Sequence, residues 1–138
     1  MRSNTFHNSL WQIAVIRPWR AQEVDDCVEI TQPEAIGAIH ISSALKQDST
    51  VSDTETRAQI QQQCPDDADI EPAQLGGFIG HSTEYVDWND SVFWKKWIVA
   101  SGRVLLFITY NCKRGEEQLE LPQVSQILSS LQPRPGGA

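Results

Sequence analysis

The sequence predicts an α+β domain in which an antiparallel sheet of about five or six strands carries one central and one C-terminal helix. Three observations predict this class. Short segments of alternating polarity, or of β-branched and aromatic composition, recur along the chain and are typical of strands. Two other segments have helix start signals. The length of 138 residues suits one domain with one core.

The N-terminal third predicts three strands. Residues 11–16 form a mostly apolar run that ends before Arg17 and Pro18, as expected for a strand. Residues 27–32 alternate with a period of two, and residues 36–45 resume the β pattern after a short turn that begins with a proline. These two runs predict a hairpin.

The central helix is predicted from its first turn. Ser52 suits the N-cap, and Glu55 stands three residues later as the partner of a capping box. Pro65 ends the helix. Its apolar stripe is thin, so we expect this helix to cover the sheet lightly. The stripe consists of Thr56, Ile60 and Cys64.

A tight hairpin is the strongest local signal in the second half of the chain. Residues 93–100 and 103–112 flank the dipeptide Ser101-Gly102, and such a two-residue loop closes tight hairpins. This loop places Trp97 opposite Leu106. Because both faces of the predicted hairpin are apolar, we expect both to be covered.

The remaining segments complete a single domain, which we assign to residues 1–138. Residues 81–88 predict a strand after three glycines that suit a bulge or a close backbone approach, and the acidic residues 65–72 predict a loop. Pro122 suits the first turn of a C-terminal helix. We expect an ordered core from about residue 10 to 131 and a flexible Pro/Gly-rich tail at 132–138. The apolar stripe of this helix consists of Val124, Ile127, Leu128 and Leu131.

Charge and cysteine usage restrict the partners. The formal net charge of −7 disfavours nucleic acid and favours a basic protein partner. The three cysteines form no CxxC pair, which predicts free thiols and a cytoplasmic location. No apolar run approaches the roughly 20 residues of a membrane-spanning helix, and we expect no metal and no cofactor because no motif for either occurs.

Structural roles are the better explanation for the residues whose side chains could act in catalysis. His40 lies in a predicted strand and Cys112 at a strand end, where buried or hydrogen-bonded residues of these types are common. For an enzyme, the best available pair is His81 with Glu84, but no acid–base spacing supports it. We therefore predict no catalytic residues.

An aromatic and acidic segment is the best candidate for binding. Tryptophan and tyrosine are favoured at interfaces, and carboxylates around them suit a basic partner. A second acidic group lies at residues 66–71. The alternative is a cavity for a small molecule or lipid, lined by Trp94 and Phe107 between sheet and helix. The predicted partner-binding residues are Glu84, Tyr85, Asp87, Trp88, Asp90 and Trp94.

Five segments of the sequence are similar, in their order along the chain, to a known group of proteins. They are CVEIT at 27–31, GAIHIS at 37–42, FWKKW at 93–97, LLFITYNC at 105–112 and QVSQILSSL at 123–131. Their order resembles small bacterial proteins of unknown function grouped with the PsbP-like α/β sandwich. The resemblance implies this fold and one domain. By analogy with small acidic immunity proteins, it also implies a non-catalytic interaction protein that neutralises a basic toxin.

Overall fold

The computed structural model describes residues 3–134 and confirms the α+β class. This part of the chain forms two α-helices and two antiparallel sheets. The helices are α1 (Asp53–Gln61) and α2 (Leu121–Leu128), with a 3₁₀ turn at Glu117–Leu119. The strands are β1 (Ser3–His7), β2 (Trp11–Ile16), β3 (Arg20–Val24), β4 (Cys27–Thr31), β5 (Gly37–Leu45), β6 (Ile70–Leu75), β7 (Phe78–Asp87), β8 (Val92–Ser101), β9 (Val104–Lys113) and β10 (Gln132–Pro133).

The larger sheet has seven strands in the order β3-β4-β5-β9-β8-β7-β6, and the smaller sheet has the order β1-β2-β10. Both predicted hairpins, β4–β5 and β8–β9, are present. Within residues 3–134, no helix has the length and apolar content that crossing a membrane requires.

The register of the β8–β9 hairpin differs from the prediction by two residues. Ser101 pairs with Val104 and Trp97 pairs with Ile108, so the loop is Gly102-Arg103. Gly102 has a φ of +58°, which glycine adopts readily at the first position of a tight loop. A shift of two leaves every side chain on its predicted face, because strand side chains alternate with a period of two.

The core lies between the two sheets. We call the side of the larger sheet that faces the smaller sheet its inner face, and the other side its outer face. Inner-face residues of β5, β8 and β9 join β2 and α2 in one buried cluster, so both sheets share the same core. Its largest fully buried side chains include Trp11, Tyr110, Ile13, Ile39, Leu106 and Ile108.

Helix α1 packs on the outer face against β7 and β8. The capping box is confirmed, because Ser52 Oγ accepts from Glu55 N at 3.1 Å and Glu55 Oε1 accepts from Ser52 N at 3.2 Å. Thr56 and Ile60 are buried. The helix leaves the outer face over β5 and β9 open, so Phe107 is only half-buried. The expectation that both faces are covered is therefore wrong for this half of the sheet.

Helix α2 begins with Pro122 in its first turn, as predicted. All four residues of its predicted apolar stripe are buried. The helix packs beside β2 rather than alone on the larger sheet, and Ala14 N donates to Ser130 Oγ at 2.8 Å. The C-terminal helix thus fills the inner core.

The sequence did not predict four of the strands, and all four lie at the edges of their sheets. They are β1, β3, β6 and β10, so the prediction of five or six strands is too low. Edge strands bury fewer side chains and tolerate proline, which is why Pro72 and Pro133 occur in β6 and β10. The prediction of a loop at residues 65–72 is accordingly wrong from Ile70 onwards.

The predicted limits of the ordered core are also corrected. Strand β1 precedes residue 10 and pairs with β2 along its whole length. Gln132 pairs with Gln12 and Arg134 N donates to Leu10 O at 3.0 Å, so the start of the predicted tail is part of the smaller sheet. The rest of that tail, residues 135–138, lies outside the described residues.

Candidate partner-binding site at the β7–β8 hairpin

The β7–β8 hairpin gathers five of the six predicted partner-binding residues at one end. Tyr85 and Trp94 pair directly across the two strands, so both lie on the outer face. Asp87 ends β7, and Trp88 and Asp90 lie in the turn that follows. We call these five residues the hairpin surface.

Glu84 is separate from the hairpin surface. Its side chain alternates to the inner face of the sheet, whereas Tyr85 lies on the outer face. Glu84 Oε1 lies 3.4 Å from the Nζ of Lys95, its cross-strand partner. Alternation along the predicted strand at 81–88 already implied that these neighbours point to opposite faces, but the sequence prediction grouped them by their proximity in sequence.

Trp88 is the most accessible aromatic residue of the hairpin surface. Its exposed fraction is 70%, whereas Trp11, Trp19 and Trp97 are at most 5% exposed. The Arg114 guanidinium lies 4.8 Å from the Trp88 ring centroid, within the range of a cation–π contact. One face of the indole thus contacts the chain itself.

Lys96 covers the other two aromatic rings. Its Nζ lies 4.9 Å from the Trp94 centroid and 5.3 Å from the Tyr85 centroid. It also donates to Gln63 O at 2.9 Å, which ties the end of α1 to the hairpin. The sequence prediction missed Lys96, although its position two residues after Trp94 in a strand places both on one face.

Asp87 has a structural role in the turn as well as a charge. Its Oδ1 accepts from Asn89 N at 3.1 Å and from Asp90 N at 3.4 Å. This fixes the turn that presents Trp88. The same carboxylate therefore orders the loop and contributes negative charge beside the indole.

A cleft of about 520 Å³ separates the hairpin surface from the end of α1. Tyr85, Asp87 and Trp88 form one wall, and the chain from Gln62 to Pro65 forms the other. The exposed Asp66 and Asp67 follow Pro65 directly. Among the residues that line the cleft, Asp87 is the one with a carboxylate.

The residues considered for catalysis do not form a catalytic pair. His81 is buried on the outer face beneath α1, where its Nδ1 lies 2.9 Å from Thr56 Oγ1. Glu84 lies on the opposite face, so the His81–Glu84 pair does not exist. His40 Nε2 lies 3.1 Å from Glu29 Oε2 on the open part of the outer face. This matches the hydrogen-bonded histidine expected there.

Cys112 is buried on the inner face. Burial raises the pKa of the Cys112 thiol, the hydrogen bond with Tyr110 lowers it in part, and neighbouring carboxylates, Glu117 first among them, raise it, so that the net shift is upward. The thiolate, which is the nucleophilic form, is therefore disfavoured at neutral pH. Among residues 3–134, no three His, Cys, Asp or Glu side chains lie close enough together to hold a metal ion.

Comparisons with known proteins match the fold alone. No family model matches the chain, and no curated protein matches it. A solved structure from Bacteroides thetaiotaomicron VPI-5482 matches with a TM-score of 0.66 at 13% identity, over 93% of this chain and 46% of that protein. This chain thus spans less than half of that protein.

A second solved structure has similar coverage of this chain. It is LpqN, a Mycobacterium tuberculosis protein involved in cell envelope biogenesis, with a TM-score of 0.57 at 15% identity over 91% of this chain and 83% of that protein. At such identities the likeness shows shared architecture and carries no residue roles.

Proposed function

We propose that this chain is a non-catalytic protein-interaction domain that binds a basic protein through the hairpin surface. The observation that carries the proposal is Trp88, which is 70% exposed at the tip of a long hairpin. Large aromatic side chains contribute most of the affinity at many protein interfaces. Large apolar side chains are more often buried, as Trp11, Trp19 and Trp97 are here.

The charge distribution supports a basic partner. Asp87 and Asp90 lie before and after Trp88 in the hairpin, and the exposed Asp66 and Asp67 directly follow Pro65, a residue that lines the cleft. Together with the net charge of −7, these carboxylates attract a cationic surface and speed its association. The partner's cations would compete with Arg114 for the indole of Trp88.

The partner class that we propose is a basic toxin, which makes the chain an immunity protein of the PsbP-like sandwich group acting in the bacterial cytoplasm. The proposed location rests on the three free thiols Cys27, Cys64 and Cys112, since reducing compartments keep thiols unpaired. The immunity role rests on analogy with small acidic proteins that neutralise cationic toxins.

The test is affinity capture of the tagged chain from its native host in low salt, followed by elution in high salt. We expect one basic protein that salt releases. Trp88→Ala should weaken its binding on the order of 30-fold. The double variant Asp87→Asn/Asp90→Asn should weaken binding mainly through slower association, because an asparagine in place of Asp87 retains the side-chain oxygen that orders the turn.

Two matched variants control this experiment. Ile79→Ala removes a side chain that is 63% exposed at the far end of β7, and Asp48→Asn removes an exposed charge in the loop before α1. Both should bind normally. For the immunity role, the captured protein should inhibit growth alone and not with this chain, and Trp88→Ala should fail to protect. Equal losses in all four variants would exclude the hairpin surface.

A second candidate function is small-molecule binding. Clefts of about 580 and 520 Å³ lie within the range of roughly 300–1,000 Å³ that ligand sites occupy. The residues proposed for a cavity from the sequence, Trp94 and Phe107, line neither of these two clefts.

A further inference from the structure

The larger cleft lies where the chain crosses from β2 of the smaller sheet to β3 of the larger sheet. It has a volume of about 580 Å³ and opens between β1 and β3, which are edge strands of their sheets. In the larger sheet, β3 is separated from β7 by four strands. The cleft is therefore distinct from the hairpin surface, and its role does not depend on the function proposed there.

The charge of this cleft is opposite to that of the whole chain. Arg17 and Arg20 are the charged residues among those that line it, although the chain has 18 acidic residues against 11 basic ones. Both arginines are exposed. Within residues 3–134, neither forms an ion pair with a carboxylate. Two guanidinium groups without internal anions suit an external one.

The rest of the cleft is largely apolar. The Trp19 indole is buried, and its Nε1 donates to Gln123 Oε1 at 3.2 Å, so it presents no free donor to the cleft. Asn4 and Thr5 add uncharged polar groups at the β1 edge. The apolar lining residues are Phe6, Val15, Pro18, Trp19, Ala21 and Pro33.

We propose that this cleft binds a small organic anion that has an apolar body. Its carboxylate or phosphate would accept hydrogen bonds from Arg17 and Arg20, and its apolar part would pack against the half-buried Phe6 and Ala21. Charge complementarity selects the anion, because every charged residue that lines the cleft is cationic. Apolar burial selects a ligand larger than an inorganic ion.

Octanoate, used below its micellar concentration, is the first probe in a ¹⁵N NMR titration of the full chain. We expect saturable shifts at the amides of Phe6, Trp19 and Ala21. Octan-1-ol has the same chain without the charge and should bind about tenfold more weakly. Octyl phosphate has the same chain with a phosphate in place of the carboxylate. The tighter of these two anions shows whether the ligand of the cleft is a carboxylate or a phosphate.

The double variant Arg17→Gln/Arg20→Gln should weaken octanoate binding by about tenfold or more and leave octan-1-ol binding unchanged. Arg57→Gln is the matched control, because it removes an exposed cation on α1 and should bind octanoate normally. If the double variant misfolds, the unaltered chain still tests whether charge contributes to binding. Raising the salt concentration should then weaken the binding of octanoate and leave the binding of octan-1-ol unchanged.

Three results would overturn the proposal. Equal affinity for octanoate and octan-1-ol would show that the cleft does not select an anion. Equal loss in Arg57→Gln would show a general effect of net charge. Binding to vesicles of anionic lipid, with no binding of monomeric octanoate or octyl phosphate, would identify a membrane surface instead of a free ligand.

Discussion

The carboxylate of Glu120 is fully buried at the start of α2. Its Oε1 accepts from the Tyr110 hydroxyl at 2.7 Å and its Oε2 accepts from Gln32 Nε2 at 2.5 Å. Within residues 3–134, no cationic side chain forms an ion pair with it. Burial first, and then the hydrogen bond to Glu120, raise the pKa of Tyr110, so its hydroxyl keeps its proton and remains a donor.

At the residue scale, Tyr110→Phe should therefore destabilise the protein. The ring packing is kept, but the buried carboxylate loses one of its two donors, and the expected loss in unfolding free energy is about 1–3 kcal/mol. Urea denaturation measures this loss. The loss should be smaller in a Glu120→Gln background, since a neutral group is less costly to leave unpaired. A Tyr110→Phe variant as stable as the original chain would contradict this account.

Alternation of residues explains which parts of the candidate site were predictable. Tyr85, Asp87 and Trp94 share the outer face, as period-two side-chain alternation requires of paired strands. Glu84 lies on the opposite face, as the same alternation requires of a residue adjacent to Tyr85. The exposure of Trp88 and its contact with Arg114 depend on the turn and on the end of β9, which a local pattern does not specify.

At the scale of the element, α1 begins with a charged pair. Lys46 Nζ donates to both oxygens of Glu55, at 2.6 and 2.7 Å. This side-chain hydrogen bond is the largest of the effects that lower the pKa of Glu55 from its ordinary value of 4.5, and the capping contact with Ser52 lowers it further. The ionised form of Glu55 is thus favoured in the folded protein.

The sign of the resulting pH dependence follows from this depressed pKa. Glu55 contributes stability above 4.5, its ordinary pKa, and that contribution is lost as the pH falls through the lower folded value. Glu55→Gln retains a capping partner but no charge, so its stability should fall less in acid. Urea denaturation between about pH 6 and pH 3 measures the difference.

The matched control is Glu71→Gln, which removes an exposed carboxylate from the edge strand β6. It should leave the acid dependence close to that of the original chain. Parallel pH profiles for Glu55→Gln and the original chain would show that the contact with Lys46 contributes nothing to stability in water.

At the scale of the whole molecule, the two sheets and α2 share one buried cluster. We therefore expect a single unfolding transition. Ile13→Ala in β2 and Leu106→Ala in β9 should each cost about 2–5 kcal/mol and move the same transition. Far-UV circular dichroism and tryptophan fluorescence should give coincident curves. Leu119→Ala, at a residue that is 63% exposed, is the control and should leave the midpoint nearly unchanged.

Two separate unfolding transitions would contradict this expectation. If Ile13→Ala created an early transition that Leu106→Ala did not shift, the smaller sheet would unfold independently. The two sheets would then be in contact but would not unfold cooperatively, and the prediction that residues 1–138 form a single domain would be wrong.

The sequence by itself determined the local parts of this protein. Apolar β-branched runs, period-two patterns and a two-residue loop identified the six strands that do not lie at a sheet edge, and a capping box identified α1, because these signals arise from neighbours within a few residues. The face assignment survived a register error of two residues at the β8–β9 loop, since an even shift preserves side-chain parity. The α+β class followed from these elements.

Only the tertiary structure decided which edge strands form, which parts of the sheet faces are covered and where the clefts lie. Strands β1, β3, β6 and β10 form because neighbouring strands supply backbone partners, and edge strands bury too little to leave an apolar alternation in sequence. The two clefts are likewise lined by separate segments of the chain, residues 62–65 with 85–89 in one and residues 4–6 with 15–21 and 33 in the other. Their geometry depends on which segments meet across the sheets, which no single segment encodes.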